Sequence, residues 1–281
     1  MVADVVPQLG RYAPGRPLAS LRVKLRRAMT HEPYATLAGV YEWLMPDALL
    51  TPEGSVAAFG DVVDELHPGA RVLDCAAGAG QLAVGLALRG FDVAASDASS
   101  AMIERTRALA ARHGAALEQR RCEWEDLTSQ GWEEAFDAVF CVGNSLTHAA
   151  GQAGRRAALA AMAGVLREDG LLILTSRNWE RLRDERPGLL VADRITEREG
   201  SRGLVVHKWT IAEAWEETHF FDVAVAVIDE AGGVTTRSEQ LPFWPFTHQA
   251  LEGDLRAAGL VPLATTYAEA VERYMVTARR G

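Results

Sequence analysis

The 281-residue chain has no apolar run approaching the ~20 residues needed to span a bilayer. Its N-terminus has no basic segment followed by an apolar one, so no secretory leader is read there, and a soluble, cytoplasmic protein is expected. Cysteine is scarce: Cys75, Cys122 and Cys141 are scattered through apolar segments, without a CxxC pair or a His/Cys cluster. Reduced thiols are therefore expected, with no disulfide framework and no metal. Positive charge is in deficit, with 29 Lys and Arg against 38 Asp and Glu, a net charge of −9. A general nucleic-acid binder needs a basic surface over phosphates, so no nucleic-acid partner is expected. No internal repeat or low-complexity tract is found. What remains is 48% hydrophobic and 24% charged, the composition of a globular chain long enough to bury its own core.

From residue 70 onward, strand-like and helix-like stretches alternate. ARVLDCA (70–76), FDVAASD (91–97), LEQRRCE (117–123), FDAVFCVG (136–143) and GLLILTS (170–176) read as strands. Residues 80–90, 100–114 and 154–168 read as helices, the first two closed by glycine. Strands separated by helices predict βαβ units and a parallel sheet with helices on both faces. After Trp179 the pattern changes. Three strand-like stretches, 203–211, 218–229 and 234–244, follow one another with a hairpin turn at EAGG (230–233). They predict a late antiparallel insertion covering the site. A helix over 247–259 with Thr247 as N-cap, then a closing hairpin from 261–267 and 273–280, complete the pattern. The spacing in YATLAGVY (34–41) predicts one more helix ahead of the sheet. The expected organisation is an N-terminal arm over 1–33, rich in Arg and Pro, a Rossmann-like core over 34–180, the β-rich insertion over 181–245 and the closing elements over 246–281.

The stretch VLDCAAGAG (72–80) carries the first chemical signal. A buried strand that runs into a glycine-rich turn and a helix is a nucleotide-binding arrangement, because the glycines let a ligand approach the backbone. Asp97 ends the next strand, about 20 residues beyond the glycines, where a carboxylate accepts from ribose hydroxyls. CEWEDL (122–127) follows the third strand. Glu123 is either an adenine contact or a solvated acid, and Trp124 either stacks on the ring or fills the core. Asp74, just ahead of the loop, would repel a pyrophosphate but suits the cationic amino end of S-adenosylmethionine (SAM), so the loop leans to SAM over NAD.

Taken together, these segments resemble class I SAM-dependent methyltransferases, and most of all the glycine and sarcosine N-methyltransferase group. VLDCAAGAG, SDASSAM, CEWEDL and FDAVFCVGNSLTH are similar to that family's successive motifs, and Ala76 stands where the group has alanine for the first motif glycine. GNSLTH (143–148) and SRNWE (176–180) resemble two further segments of the group. The likeness covers roughly 70–180 and implies a homologous set of roles. Ala76 and Gly78 would line the methionine portion, Asp97 would hold the ribose, and Glu123 and Trp124 would take the adenine, with Asp74, Gly80, Ala98 and Met102 also among the cofactor-binding residues. Val142 and His148 would contact the cofactor, and Tyr34 would close over the methionine end. Asn144 would lie between cofactor and substrate, Arg177 would clamp a substrate carboxylate, and Tyr41, Trp179 and Trp244 would form the substrate wall. The chain departs from the group where Trp179 and Trp244 replace tyrosines, where Ser176 replaces a histidine, and in lacking a match for an N-terminal arginine. These departures fall in the expected substrate wall and point away from glycine itself more than from methyl transfer.

The expected chemistry is an in-line displacement on a small-molecule amine. Asn144, His148 and Arg177 are the catalytic candidates, His148 as a base or as a cofactor contact. Methylation of a larger specialised metabolite at N or O, against an aromatic pocket of Trp179, Trp209, Trp215 and Trp244, is the second reading. A non-catalytic SAM-binding regulator is the third. A homo-oligomer is compatible with either enzyme.

Overall fold

The computed structural model describes residues 34–192 and 195–281. The chain divides into two units, Met1–Thr30 and His31–Gly281. The N-terminal arm expected over 1–33 lies outside the described residues.

The segment read as a helix at 34–41 starts differently. Tyr34 sits in a turn with φ of 63°, and a 3-10 helix begins only at Ala38 and runs to Leu44. Two short helices follow, α1 (Pro52–Ala57), capped by the Thr51 side chain, and α2 (Gly60–Val63). The alternation then takes hold: β1 (Arg71–Asp74), α3 (Gln81–Leu88), β2 (Asp92–Asp97), α4 (Ser100–His113), β3 (Glu118–Arg121), β4 (Phe136–Cys141), α5 (Gly151–Val165) and β5 (Leu166–Arg177). These strands pair in parallel. Their apolar runs are explained by burial on both faces. Leu73, Val139, Leu172 and Leu174 enter one core, while Val72, Ala138, Phe140 and Ile173 enter the other. The two-residue period of a strand sends alternate side chains to opposite faces.

A helix α6 (Trp179–Glu185) then leads into an antiparallel sheet, β6 (Leu189–Val191), β7 (Thr196–Arg198), β8 (Ser201–Thr210), β9 (His219–Ile228) and β10 (Val234–Phe243). The boundary expected at 180 thus falls inside α6, whose N-cap is Asn178, its side chain accepting from Arg181 N at 3.0 Å. Trp209, Val223, Val225, Leu241 and Phe243 form a third core with Trp179, Leu37 and Val40. Finally α7 (His248–Ala257) is capped by Thr247 and followed by the hairpin β11 (Leu260–Thr265) and β12 (Arg273–Arg280), which joins the edge of β5 antiparallel.

The main sheet order is β11-β12-β5-β4-β1-β2-β3. Strand order reverses between β1 and β4, and in open α/β sheets the ligand crevice opens at the carboxyl ends of the strands beside such a reversal. The loops after β1, β2, β3 and β4 therefore converge where the chemical motifs lie. No helix among the described residues is long and apolar enough to cross a membrane.

Candidate active site

The loop after β1 is shaped by two glycines with different tasks. Gly78 has φ of 53° and borders the cavity, and a Cβ there would stand only in ordinary contact with the Tyr41 ring, at 3.7 Å. Gly80 has φ of 91°, and a Cβ there would come within 2.8 Å of the Thr106 backbone in α4. Its role is close helix packing, and it does not line the cavity. Thr106 Oγ1 also donates to the Gly78 carbonyl at 3.0 Å, so α4 holds the loop from behind.

Asp97 holds it from the other side. Its carboxylate accepts from Gly78 N and from Ser99 N, both at 2.9 Å. Trp124 is oriented by its indole N–H, which donates to the Cys75 carbonyl at 2.8 Å. Between these groups lies a cavity of about 320 Å³, bordered by Ala76, Gly78, Asp97, Met102, Glu123 and Trp124. Ala98, Tyr34, Tyr41 and His148 complete its wall. Ser99 also borders it, its Oγ buried and without a hydrogen-bond partner among the described residues. A carboxylate, an indole, an open glycine cradle and an unpartnered hydroxyl are the donor set that a nucleoside requires, so the residues present fit one.

Tyr34 and His148 close one end. The Tyr34 hydroxyl lies 2.9 Å from His148 Nε2, and Tyr34 N donates to Glu239 Oε1 at 2.8 Å. Burial drives the His148 pKa down to about 4, against the opposing effect of a hydrogen bond to the Pro242 backbone. Proline has no N–H, so the ring must donate to its carbonyl. A neutral ring with that proton leaves Nε2 as acceptor for the Tyr34 O–H. Burial also raises Tyr34 and carries Tyr41 to about 12, so both stay protonated at neutral pH.

Three further residues named from sequence sit away from the cavity lining. Asp74 is buried beneath the loop, with Ala76 N donating to it at 3.3 Å. Burial raises its pKa to about 7, with Asp97 adding to the effect. Val142 offers its carbonyl to Ser145 Oγ at 2.7 Å. Trp244 ties the insertion to the β4 loop by donating its N–H to the Thr147 carbonyl at 2.7 Å.

Asn144 and Trp179 face each other. Asn144, in the left-handed region with φ of 70°, accepts at Oδ1 from Arg177 N at 2.9 Å and from Trp179 Nε1 at 3.1 Å. Its amide nitrogen donates to Thr147 Oγ1 at 3.1 Å. The whole amide is thus committed to holding the β5 terminus. Trp179 is 2% exposed and packs edge-on against Trp209, making it a core residue under the insertion. Arg177 stands at the end of β5, its guanidinium 5.6 Å from the Trp209 ring centre. Burial and the neighbouring Arg273 lower its pKa to about 10. Sequence reading passed over Arg273 and Glu239, since neither belongs to a local motif. Only strand pairing brings them here.

Residues 72–170 match the methyltransferase domain family. The segment 72–170 is a methyltransferase domain. The chain is 40% identical over 119 residues to the glycine/sarcosine N-methyltransferase of Aphanothece halophytica, 42% of this chain and 44% of that one. It is 34% identical over 128 residues to the glycine N-methyltransferase of Homo sapiens, 41% of this chain and 43% of that one. The chain thus matches a little under half the length of these curated relatives. The methyltransferase domain with its insertion is also similar in fold to solved structures. These include the CcbJ methyltransferase from Streptomyces caelestis, with TM-score 0.68 and 19% identity over 87% of this chain and 96% of that one. They also include the SAM-bound amino pentose methyltransferase CalS10 from Micromonospora echinaspora, with TM-score 0.63 and 22% identity over 87% of this chain and 96% of that one. The fold is that of class I methyltransferases, with a separate antiparallel sheet.

Proposed function

We propose that this chain is a SAM-dependent N-methyltransferase acting on a small, carboxylate-bearing amine. The observation that carries the reading is the single cavity in which Asp97, Trp124, Glu123 and the Gly78 cradle converge, with Arg177 at the end of the strand two places along the sheet. The named relatives and the SAM-bound neighbour support it.

When bound, SAM supplies a methyl group already activated on a sulfonium. The protein's own task is then positioning, and well-oriented reactants gain about 7–11 kcal/mol from it. Asp97 would accept from the ribose hydroxyls, and Glu123 and Trp124 would take the adenine. Tyr34, locked by His148, and Tyr41 wall the methyl end and exclude water. Arg177 aligns the acceptor through its carboxylate, and Asn144 holds the Arg177 backbone in place. His148, neutral down to a pH of about 4, is a positioning residue here, so the acceptor amine gives up its proton to water. A large aromatic acceptor pocket needs Trp179 and Trp209 free, and both are spent on packing.

The test is calorimetric titration with SAM, its demethylated product and NAD, followed by methyl transfer to a panel of small amines. Micromolar SAM binding without NAD binding, and turnover of a carboxylate-bearing amine, are the expected results. No SAM binding by folded protein ends the proposal. Asp97→Ala should weaken SAM about 10- to 100-fold, since hydrogen bonds to a charged group contribute about 1.5–3 kcal/mol. Unaltered affinity contradicts the ribose assignment.

Asp74 predicts a pH dependence. With its pKa near 7 in the folded chain, it is mostly protonated at pH 6 and mostly ionised at pH 8. Only the ionised form attracts a cationic ligand, so SAM affinity should rise with pH through about 7. His148 stays neutral across that window. Asp74→Asn should flatten the curve, and a slope that survives this substitution assigns it elsewhere.

A further inference from the structure

Arg177 ends β5 and Arg273 begins β12, and the two are direct partners in the antiparallel pair. Directly opposed residues share one face of the sheet with Cβ atoms about 4.5–5.5 Å apart, and like charges so placed destabilise the pair. Several other arginines have acids at ion-pair distance. Arg155 and Arg156 share Asp254, Arg167 has Asp137, and Arg105 has Glu42. Arg177 and Arg273 have no carboxylate within ion-pair distance among the described residues. Glu272 acts on both and Glu185 on Arg177 from further away. The Arg177 guanidinium lies 5.6 Å from the Trp209 ring centre.

The pair lies within electrostatic reach of the cavity wall and of the insertion. Arg273 lies close enough to Tyr41, which borders the cavity at Gly78, for each to act on the other's charge. Arg177 does the same to His207 of β8, under the insertion. Arg273 remains open to solvent and Arg177 half-buried. Both guanidinium groups are held below their ordinary pKa, chiefly by desolvation. Two adjacent planar forks with no carboxylate at ion-pair distance among the described residues, at the carboxyl edge of the sheet, can each match a carboxylate in bidentate fashion.

We infer that Arg273 is a specificity-determining residue and that the acceptor is an amine carrying two carboxylates, one on Arg177 and one on Arg273. This rests on the amine-methylating reading above. It extends that reading from a single carboxylate to a dianion, and it gives a use to two adjacent cations that have no carboxylate at ion-pair distance among the described residues. Glycine, with one carboxylate, would leave Arg273 unmatched.

Two arms test it on the full chain with the demethylated cofactor product present. In calorimetry, succinate, a dicarboxylate without an amine, should bind the wild type at least about tenfold more tightly than acetate. Arg273→Ala should abolish that difference, and Arg273→Lys, which keeps the charge without the fork, should restore only part of it. Equal binding of the two probes, or a preference indifferent to Arg273→Ala, overturns the inference. In the kinetic arm, kcat/KM for aspartate should exceed that for glycine at least about tenfold, and Arg273→Ala should bring that ratio to within about threefold of one. The two failures are separable. Arg273-dependent succinate binding with no amine methylated keeps the anion site and removes the methylation reading. Glycine methylation with no succinate binding does the reverse.

Discussion

Arg177→Ala should lower kcat/KM for a carboxylate-bearing amine by about a thousandfold while leaving the fold intact. Removing one member of a desolvated, hydrogen-bonded charge pair typically costs about 2–5 kcal/mol, and the bidentate fork places Arg177 well within that range. The loss should fall on the acceptor and spare SAM binding, because Arg177 is absent from the lining of the nucleoside cavity. Stability should move in neither direction by more than about 1 kcal/mol. The guanidinium is unfavourably desolvated and lies beside Arg273, so its removal relieves repulsion. Against this stands the lost contact with the Trp209 ring, about 0.5–2 kcal/mol for a cation over an aromatic face. Steady-state kinetics with a thermal melt on the same sample reads both. Unchanged kcat/KM removes Arg177 from the acceptor site, whereas a collapsed melt assigns it to the fold.

Asp254→Ala should have the opposite character, a large loss of stability without a change in specificity. Asp254 is fully buried on α7 and accepts from Arg155 Nε at 2.7 Å, from Arg156 Nε at 2.6 Å and from Gln152 Nε2 at 3.2 Å. Arg155 on α5 is itself only 4% exposed, with its guanidinium also 4.8 Å from the Phe246 ring centre. Truncating the acid leaves that guanidinium buried without a counter-charge, which costs about 3–5 kcal/mol. For a chain this size the melting temperature should drop by about 6–20 °C, at about 2–4 °C per kcal/mol. Replacing Arg155 and Asp254 together by apolar residues of similar volume should recover most of the loss, because neither charge is then stranded. A loss below about 1 kcal/mol in the single variant would show that water reaches the pair.

The two sets of residues differ in how far they were legible beforehand. VLDCAAGAG, Asp97 at the end of β2 and Trp124 after β3 are each local patterns. A strand period, a glycine turn and the residue at a strand's carboxyl end are written in consecutive positions, and the parallel sheet then brings those ends together. The roles within the loop were less legible. Gly78 and Gly80 look alike in the sequence, yet Gly80 answers to Thr106 on α4 while Gly78 borders the cavity. The family resemblance implied that Trp179 and Asn144 are open site residues. In the fold they hydrogen-bond to each other, with Trp179 sealed beneath the insertion.

By itself, then, the sequence determined the alternation of elements, the late antiparallel insertion, and the carboxylate and indole that meet at the glycine loop. Periodicity, turn chemistry and strand-end position act over a few residues at a time, and they leave their mark in the order of the letters. Only the tertiary structure decided that the buried His148 is neutral and bound to Tyr34, that two arginines share Asp254, and that Arg273 stands beside Arg177 with no carboxylate at ion-pair distance among the described residues. Those outcomes depend on which distant strands and helices become neighbours, and on how much water is excluded when they do. A pKa, an ion pair and an unmatched charge are properties of that surrounding space.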